Sequence, residues 1–460
     1  MIHSQEKDQV PYFGFGVGAI GTGVIVQVPT LLLLVYMTDT LAIPSVLAGA
    51  MLFIPKLFDV ITDPIMGQIS DRTESRWGRR RPYLLLGAIV TAIGMSFLFS
   101  TPEYEQMSSR LMWVVVFYLL TQIGVTIFLV PYYALPAELT PDPDKRLKLM
   151  SYRAFFSFAG IVLGGVVAPW LVSIAGGGTE GYRVMSVVVG LTCGLAFFLS
   201  FYLLRHTHEH AYIQPGDRSF LQTIREQFTV IFANGPFLVF MLSFLVYICG
   251  TGTAIAVFPY YVNYILGNSL SLSALWFYLL AAAVFSIPIW SRLGKKLEKT
   301  IVYQLAVAIL AIACLGLFLF GIHQAGLVKL MIVIFGFGFG GTQVIVWTIL
   351  ADIIEGDETK HKQNRGGIFA GGMLAMEKAG FALGSLVAGT TLDAMGYLES
   401  SAREDVVQSA TALLGIRLSI GIIPIILFTA SILIMLRSGF TAQSAARTNS
   451  IKAASYRGVR

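Results

Sequence analysis

The chain has 460 residues, 55% of them hydrophobic and only 13% charged, and its mean hydropathy is +0.73. A soluble globular protein carries about 25% charged residues, so this composition excludes an ordinary soluble domain and indicates a chain that lies in lipid. A net charge of +6 is weak evidence for nucleic-acid binding. In a membrane protein it reflects basic loops on one side of the bilayer.

Apolar residues form long continuous runs along the whole chain. A bilayer-crossing helix needs about 20 mostly apolar residues, and a spanning β-barrel would instead show short segments that alternate. We therefore predict an all-α membrane protein with twelve transmembrane helices. The predicted spans are residues 11–37, 44–69, 83–101, 111–136, 149–175, 183–204, 235–262, 271–291, 301–323, 326–350, 367–396 and 409–436.

The ends and loops predict how the chain crosses the membrane. Residues 1–10 are polar and have no basic region followed by a short apolar core, so we expect no cleavable signal peptide. Loops after even-numbered spans hold 18 Lys and Arg residues, and loops after odd-numbered spans hold four. The positive-inside rule then places the even loops and both termini in the cytoplasm, as expected for a multi-pass protein of the cell (inner) membrane.

The chain divides into two similar halves. "PAELTPDPDKRLKLMSYRAFF" after span four resembles "LADIIEGDETKHKQNRGGIF" after span ten. Apolar residues at helical spacing in the longer connection 205–234 predict a helix along the cytoplasmic face. We expect six-helix bundles at 1–204 and 235–436 and a disordered basic tail at 437–460. This is the organisation of a major facilitator transporter, which holds its substrate near the midplane between its halves.

Charged residues inside the second span predict a functional site. Lys56, Asp59 and Asp63 follow the spacing i, i+3, i+7 and share one helix face. Each charge at a bilayer centre costs about 2.5–3.5 kcal/mol, so these residues are expected to line a shared polar cavity. Two carboxylates one turn apart need a cation, a shared proton or a lysine between them. A cation or proton site and a structural salt bridge both satisfy that need.

Neutral oxygen donors accompany the acids. Thr62 lies between Asp59 and Asp63, and Thr126 lies in span four. Hard cations prefer oxygen ligands, which favours a cation site, although Thr126 is equally explained by a bond to its own helix backbone.

"FDVITDPIMGQISDRTESRWGRRRPYLLLGA" resembles the second-span motif of the glycoside–pentoside–hexuronide:cation symporters, the melibiose-permease-like family of the major facilitator superfamily. The resemblance continues in "GVGAIGTG", "VPYYALPAELT", "YRAFFSFAG" and "MEKAGFALG", and so covers the whole chain. It implies cation-coupled symport of a small organic solute such as a sugar, glycoside or uronide. The implied coupling ion is sodium, lithium or a proton, held by Asp59, Asp63, Thr62 and Thr126.

The same resemblance implies further residue roles. Lys378 would link the cation site to the substrate, and Arg153 and Tyr133 match substrate positions. From charge placement alone, Lys56 or Lys378 would compete for the negative charge of the acids. A cytoplasmic gate is implied at Asp71, Arg72, Arg76, Arg79, Glu138 and Asp352.

Two positions depart from the family pattern. Gly23 and Leu129 stand where the family's galactoside permeases have sugar-binding aspartates. The substrate is then a different sugar, an acidic sugar paired with Arg153 and Lys378, or something less polar. A related branch that carries lysophospholipids with sodium gives the alternative function of an amphiphile transporter.

Other signals indicate no further chemistry. "GVGAIG" fits a dinucleotide fingerprint but lies in a span, where small residues let helices approach. "HTHEH" at residues 206–210 is expected to be a solvated loop. We predict no cofactor, no metal beyond the monovalent coupling ion, no enzymatic activity and no nucleic-acid partner, in a chain that works as a monomer. A non-transporting membrane receptor or scaffold is the alternative of a different class.

Overall fold

A computed structural model describes residues 10–140, 142–205, 220–267, 269–321, 324–362, 365–400 and 406–437. The described residues are almost entirely helical. They fall into two compact units. The first contains residues up to Phe220 together with Leu398–Val407, and the second contains Leu221–Tyr397 and the residues from Gln408 onward.

The described part of the first unit contains six long helices. α1 includes a π-helical stretch at Pro29–Leu33, where proline lacks the N–H of the regular ladder. α4 is the longest and contains Pro131 and Pro136 in its second half. The helices are α1 Tyr12–Asp39, α2 Ser45–Arg72, α3 Arg81–Leu98, α4 Met107–Leu139, α5 Asp144–Ile174 and α6 Gly178–Leu204.

Glycines let the helices of this unit approach one another closely. At the crossing of α1 and α5, a Cβ on Gly23 would run into the carbonyl oxygen of Ser157, and a Cβ on Gly160 would run into that of Ile20. Association in lipid depends on such close packing, because lipid tails are as apolar as the side chains they contact. The crossing therefore fixes the position of α1 against α5.

The second unit begins with a short amphipathic helix and continues with longer ones. α7 has exposed, stacked Phe228 and Phe232, with ring centroids 6.1 Å apart. α13 is broken at Gly421, where a Cβ would lie 2.5 Å from Cβ of Phe318. The helices are α7 Phe220–Ala233, α8 Gly235–Ile265, α9 Leu272–Lys296, α10 Lys299–Leu319, α11 Ala325–His361, α12 Gly366–Ala394 and α13 Ala410–Leu436.

The fold class predicted from the sequence is confirmed as helical and membrane-spanning, and the number of spans stays a prediction. Within the described ranges, ten helices are long and apolar enough to cross a bilayer. α2 and α12, which correspond to predicted spans two and eleven, are not among them. α2 is apolar only over Ser45–Lys56. Both helices carry charges within their length, which lowers their hydropathy.

Several sequence predictions lie outside the described residues. These are the HTHEH segment at 206–210 and, apart from Arg437, the tail at 437–460.

The close crossing of α1 and α5 predicts that Gly23→Ala lowers the free energy of unfolding by about 1–3 kcal/mol, because the added methyl group has no space. The measurement is thermal unfolding of the purified protein in detergent. Gly371→Ala in α12 is the matched control, since its Cβ would have no atom within 4 Å. Equal stability of the two variants would contradict the packing described here.

Candidate functional site

Two side-chain hydrogen bonds, called rungs here, connect α2 to α4, one of them buried and the other half-buried. The side-chain amide Nε2 of Gln122 donates to Oδ2 of Asp59 over 3.4 Å, and the hydroxyl of Thr126 donates to Oδ1 of Asp63 over 2.9 Å. We call these four residues the carboxylate ladder. Asp59, Gln122 and Thr126 are each at most 5% exposed, and Asp63 is half-buried. Two carboxylates are therefore held one turn apart, largely out of water.

The ladder follows from the spacing of its residues along two helices. The acids are four residues apart on α2, and their partners are four residues apart on α4. Residues four apart lie on one face of a helix. Both rungs join residues separated by 63 positions, so the two helices run in the same direction here. Burying a polar side chain in the membrane costs free energy unless it has a hydrogen-bond partner. Each of the two hydrogen bonds gives one acid such a partner.

Thr62 and Lys56 lie on α2 beside the ladder, and both are half-buried. The Thr62 hydroxyl donates to the carbonyl oxygen of Phe58, one turn back in its own helix, over 3.0 Å. The two threonines thus differ. The hydroxyl of Thr126 reaches a carboxylate on another helix, whereas that of Thr62 bonds its own backbone.

Arg153 and Tyr133 are brought together in the first unit. The guanidinium of Arg153 lies over the Tyr133 ring, 5.0 Å from its centroid. Within the described residues, Nε of Arg153 is buried and has no hydrogen-bond partner. The neighbouring Tyr132 has a different role, because it is fully buried, stacks on Phe15 and donates to its carbonyl oxygen over 2.6 Å. Arg153 over Tyr133 can therefore bind a polar or anionic group.

The two positions without the expected acids differ in their surroundings. Gly23 faces the backbone of α5, which leaves no room for a side chain there. Leu129 is half-buried on α4, one turn beyond Thr126. The absence of an acid at position 23 is thus a packing requirement as well as a loss of polarity.

An arginine network joins the ends of α2, α3 and α4. Arg80 contacts Asp71 over 2.5 Å and Glu138 over 3.1 Å, and Arg79 donates to Glu138 over 2.5 Å. The side chain of Glu138 is 1% exposed. Buried and half-buried charges of opposite sign therefore fix three helix ends together. Of the other predicted gate arginines, Arg76 lies over the Trp77 ring at 4.6 Å, and both it and Arg72 are exposed.

The second unit contains the remaining predicted residues. Asp352 on α11 accepts from Nζ of Lys299, which lies 2.6 Å from each of its carboxylate oxygens. Lys378 and Glu377 are half-buried on α12. The structure therefore gives Asp352 a lysine partner within its own unit.

Three participating residues were missing from the sequence-based site. Gln122 has a detectable signal, because it precedes Thr126 by the same four residues that separate the two acids. Arg80 lies in a run of three arginines whose spacing does not distinguish one from another, and Lys299 resembles an ordinary loop lysine.

Among the described residues, no cluster of three His, Cys, Asp or Glu side chains could hold a metal ion.

Comparison with known proteins identifies similar chains over nearly the full length. The family model described as "MFS/sugar transport protein" matches residues 14–441. The "Inner membrane symporter YicJ" of Escherichia coli (strain K12) is 29% identical, over 92% of this chain and 90% of the relative.

The names of two further relatives include a substrate, and one solved structure shares the fold. The "Isoprimeverose transporter" of Lactiplantibacillus pentosus is 25% identical, over 94% of this chain and 89% of its own. The "Glucuronide carrier protein homolog" of Escherichia coli (strain K12) is 23% identical, over 89% and 88%. A bacterial homologue of the human lysosomal transporter Spinster has a TM-score of 0.71 at 14% identity, covering 96% of this chain and 98% of that one.

The arginine network predicts that Glu138→Gln lowers the free energy of unfolding by about 3–5 kcal/mol, because Arg79 and Arg80 lose a buried counter-charge. Unfolding in detergent measures the change. Asp352→Asn is the matched control, because its pair with Lys299 is more than a third exposed on both sides and contributes about 0–1 kcal/mol. Similar losses in the two variants would contradict a structural role specific to Glu138.

Proposed function

Since the chain belongs to the MFS/sugar transport protein family, we propose that it is a symporter that moves a sugar, glycoside or uronide together with a sodium ion or a proton. It is a multi-pass membrane transporter and not an enzyme. The observation that carries the proposed coupling is the carboxylate ladder, in which α4 holds two acids of α2 one turn apart.

The ladder supplies a physical basis for coupling. A cation bound by Asp59 and Asp63, with the Thr126 hydroxyl and Thr62 beside them, cancels the repulsion between the carboxylates. That cancellation favours the state that accepts solute, and by linkage the solute strengthens cation binding by the same factor. Sodium, lithium and a proton all satisfy the charge requirement. Release of the cation on the inner side then weakens solute binding, and transport proceeds by alternating access.

The solute is proposed to bind at Arg153 and Tyr133. The guanidinium on the tyrosine ring, with its buried Nε, is suited to hydroxyl or carboxylate oxygens of a sugar. Isoprimeverose and glucuronide appear in the names of two relatives and are reasonable first candidates. Gly23 and Leu129 stand where the family's galactoside permeases have sugar-binding acids, so a lysophospholipid belongs in the same screen.

Other parts of the chain are proposed to regulate access. The arginine network and the Lys299–Asp352 pair would close the cytoplasmic side, with both chain termini in the cytoplasm. Lys56 and Lys378 are proposed to compete with the cation for the carboxylates and so to link its release to the solute. The location proposed is the inner membrane, with a monomer as the working unit.

The first test is solute accumulation in proteoliposomes under an imposed sodium or proton gradient. A thermal-shift screen of sugars, uronides and lysolipids, with and without sodium, selects the solute. Asp59→Asn and Asp63→Asn are each expected to reduce gradient-driven accumulation by about tenfold or more, because one carboxylate is no longer charged. Asp393→Asn is the matched control, an exposed acid near the end of α12. Accumulation at the wild-type level in both ladder variants would refute the cation site.

Removing the Lys378 amine tests the proposed link between the cation and the solute. Lys378→Ala is expected to fold and to retain solute exchange, while losing most of its dependence on the cation gradient. The measurement compares exchange with gradient-driven uptake in the same vesicles. Normal gradient-driven uptake with normal expression would contradict the coupling role.

A further inference from the structure

The proposed cation site uses Asp59, Asp63 and Thr126 for charge and oxygen ligands. It gives Gln122, the fourth residue of the carboxylate ladder, no role of that kind. We propose that Gln122 is a positioning residue that orients Asp59 for a bound sodium ion and thereby sets the preference among alkali cations. This inference rests on the proposed function, in which Asp59 and Asp63 hold the coupling cation.

Burial argues that the amide of Gln122 is used. Gln122 is 4% exposed, as is Asp59. An apolar side chain would fill the same volume in this helix without the cost of removing an amide from water. The bond from Nε2 to Asp59 is the only hydrogen bond of this side chain within the described residues. Among the described residues, the Gln122 amide therefore bonds to this carboxylate alone.

The geometry shows how one bond can orient a carboxylate. Gln122 contacts Oδ2 of Asp59, whereas Thr126 contacts Oδ1 of Asp63. Each acid therefore accepts a hydrogen bond at one oxygen from a donor on α4, and the two donors lie one turn apart. Outer partners of this kind fix the direction of a ligand, and their loss typically reduces metal affinity about 10–100-fold.

Orientation also governs which ion is preferred. Selectivity between cations of different size depends on the number and rigidity of the ligands. The bond from Gln122 restricts the orientation of the Asp59 carboxylate toward the ion, and loss of the bond relaxes that restriction. Loss of the amide is therefore expected to weaken sodium binding and to bring the sodium and lithium affinities closer together.

The chain contains a matched control for this idea. Gln27 is a second buried glutamine of the first unit, 8% exposed on α1. Within the described residues its Nε2 is buried without a hydrogen-bond partner, and it packs beside Gly164. The same substitution at Gln27 removes a buried amide that does not contact Asp59.

The experiment uses the purified full chain in detergent and requires no solute. Thermal unfolding is recorded during titration with NaCl, LiCl or choline chloride at constant ionic strength, and the concentration dependence gives an apparent dissociation constant for each cation. In Gln122→Met, the sodium constant is expected to rise about 10–100-fold. The ratio of the sodium and lithium constants is expected to move toward one, and Gln27→Met is expected to behave as wild type.

Gln122→Leu repeats the comparison if the methionine variant does not fold, since leucine inserts readily into bilayer helices. Unchanged sodium and lithium constants in a folded Gln122 variant overturn the inference, as does an equal change in Gln27→Met. Wild type that binds neither ion but accumulates solute under a proton gradient also overturns it, while leaving symport intact. Failure of accumulation under both gradients would instead refute the proposed function.

Discussion

The structure depends on one constraint, which is that a bilayer does not solvate charge. In water an isolated carboxylate is stable, but in the hydrocarbon it needs a counter-charge or donors. In the first unit, side chains from one neighbouring helix give the two acids of α2 hydrogen-bond donors. Gln122 and Thr126 on α4 reach Asp59 and Asp63 on α2. The polar site therefore also determines how these two helices align.

The same constraint separates two kinds of charged group in this chain. Glu138 is buried and is matched by Arg79 and Arg80, so its charge is already balanced and its role is to hold helix ends. The donors that α4 gives the two ladder acids are neutral, and they leave the net charge of the pair unchanged. A mobile cation is the proposed partner for that charge. A neutral donor orients a carboxylate without cancelling its charge. This suits a site that binds and releases a cation during transport.

Much of the fold was predictable from the sequence, because hydrophobic runs of bilayer length allow few alternatives. The acids of span two were also predictable, since charges at i, i+3 and i+7 are conspicuous in an apolar segment. Gln122 is hard to single out from the sequence, because an uncharged polar residue resembles many that serve only packing. The steric need for glycine at position 23 could not be predicted from the sequence either. Only the crossing of α1 and α5 shows that there is no space for a side chain there.

The central claim is that solute and cation cross together through the acids of the carboxylate ladder. The most direct test adds the solute from the screen to proteoliposomes without any imposed gradient and follows entry of radioactive sodium and of protons in parallel. The account predicts that one of these cations enters with the solute and that this movement disappears in Asp63→Asn. Solute entry without either cation, or cation entry that is unchanged in Asp63→Asn, would contradict it.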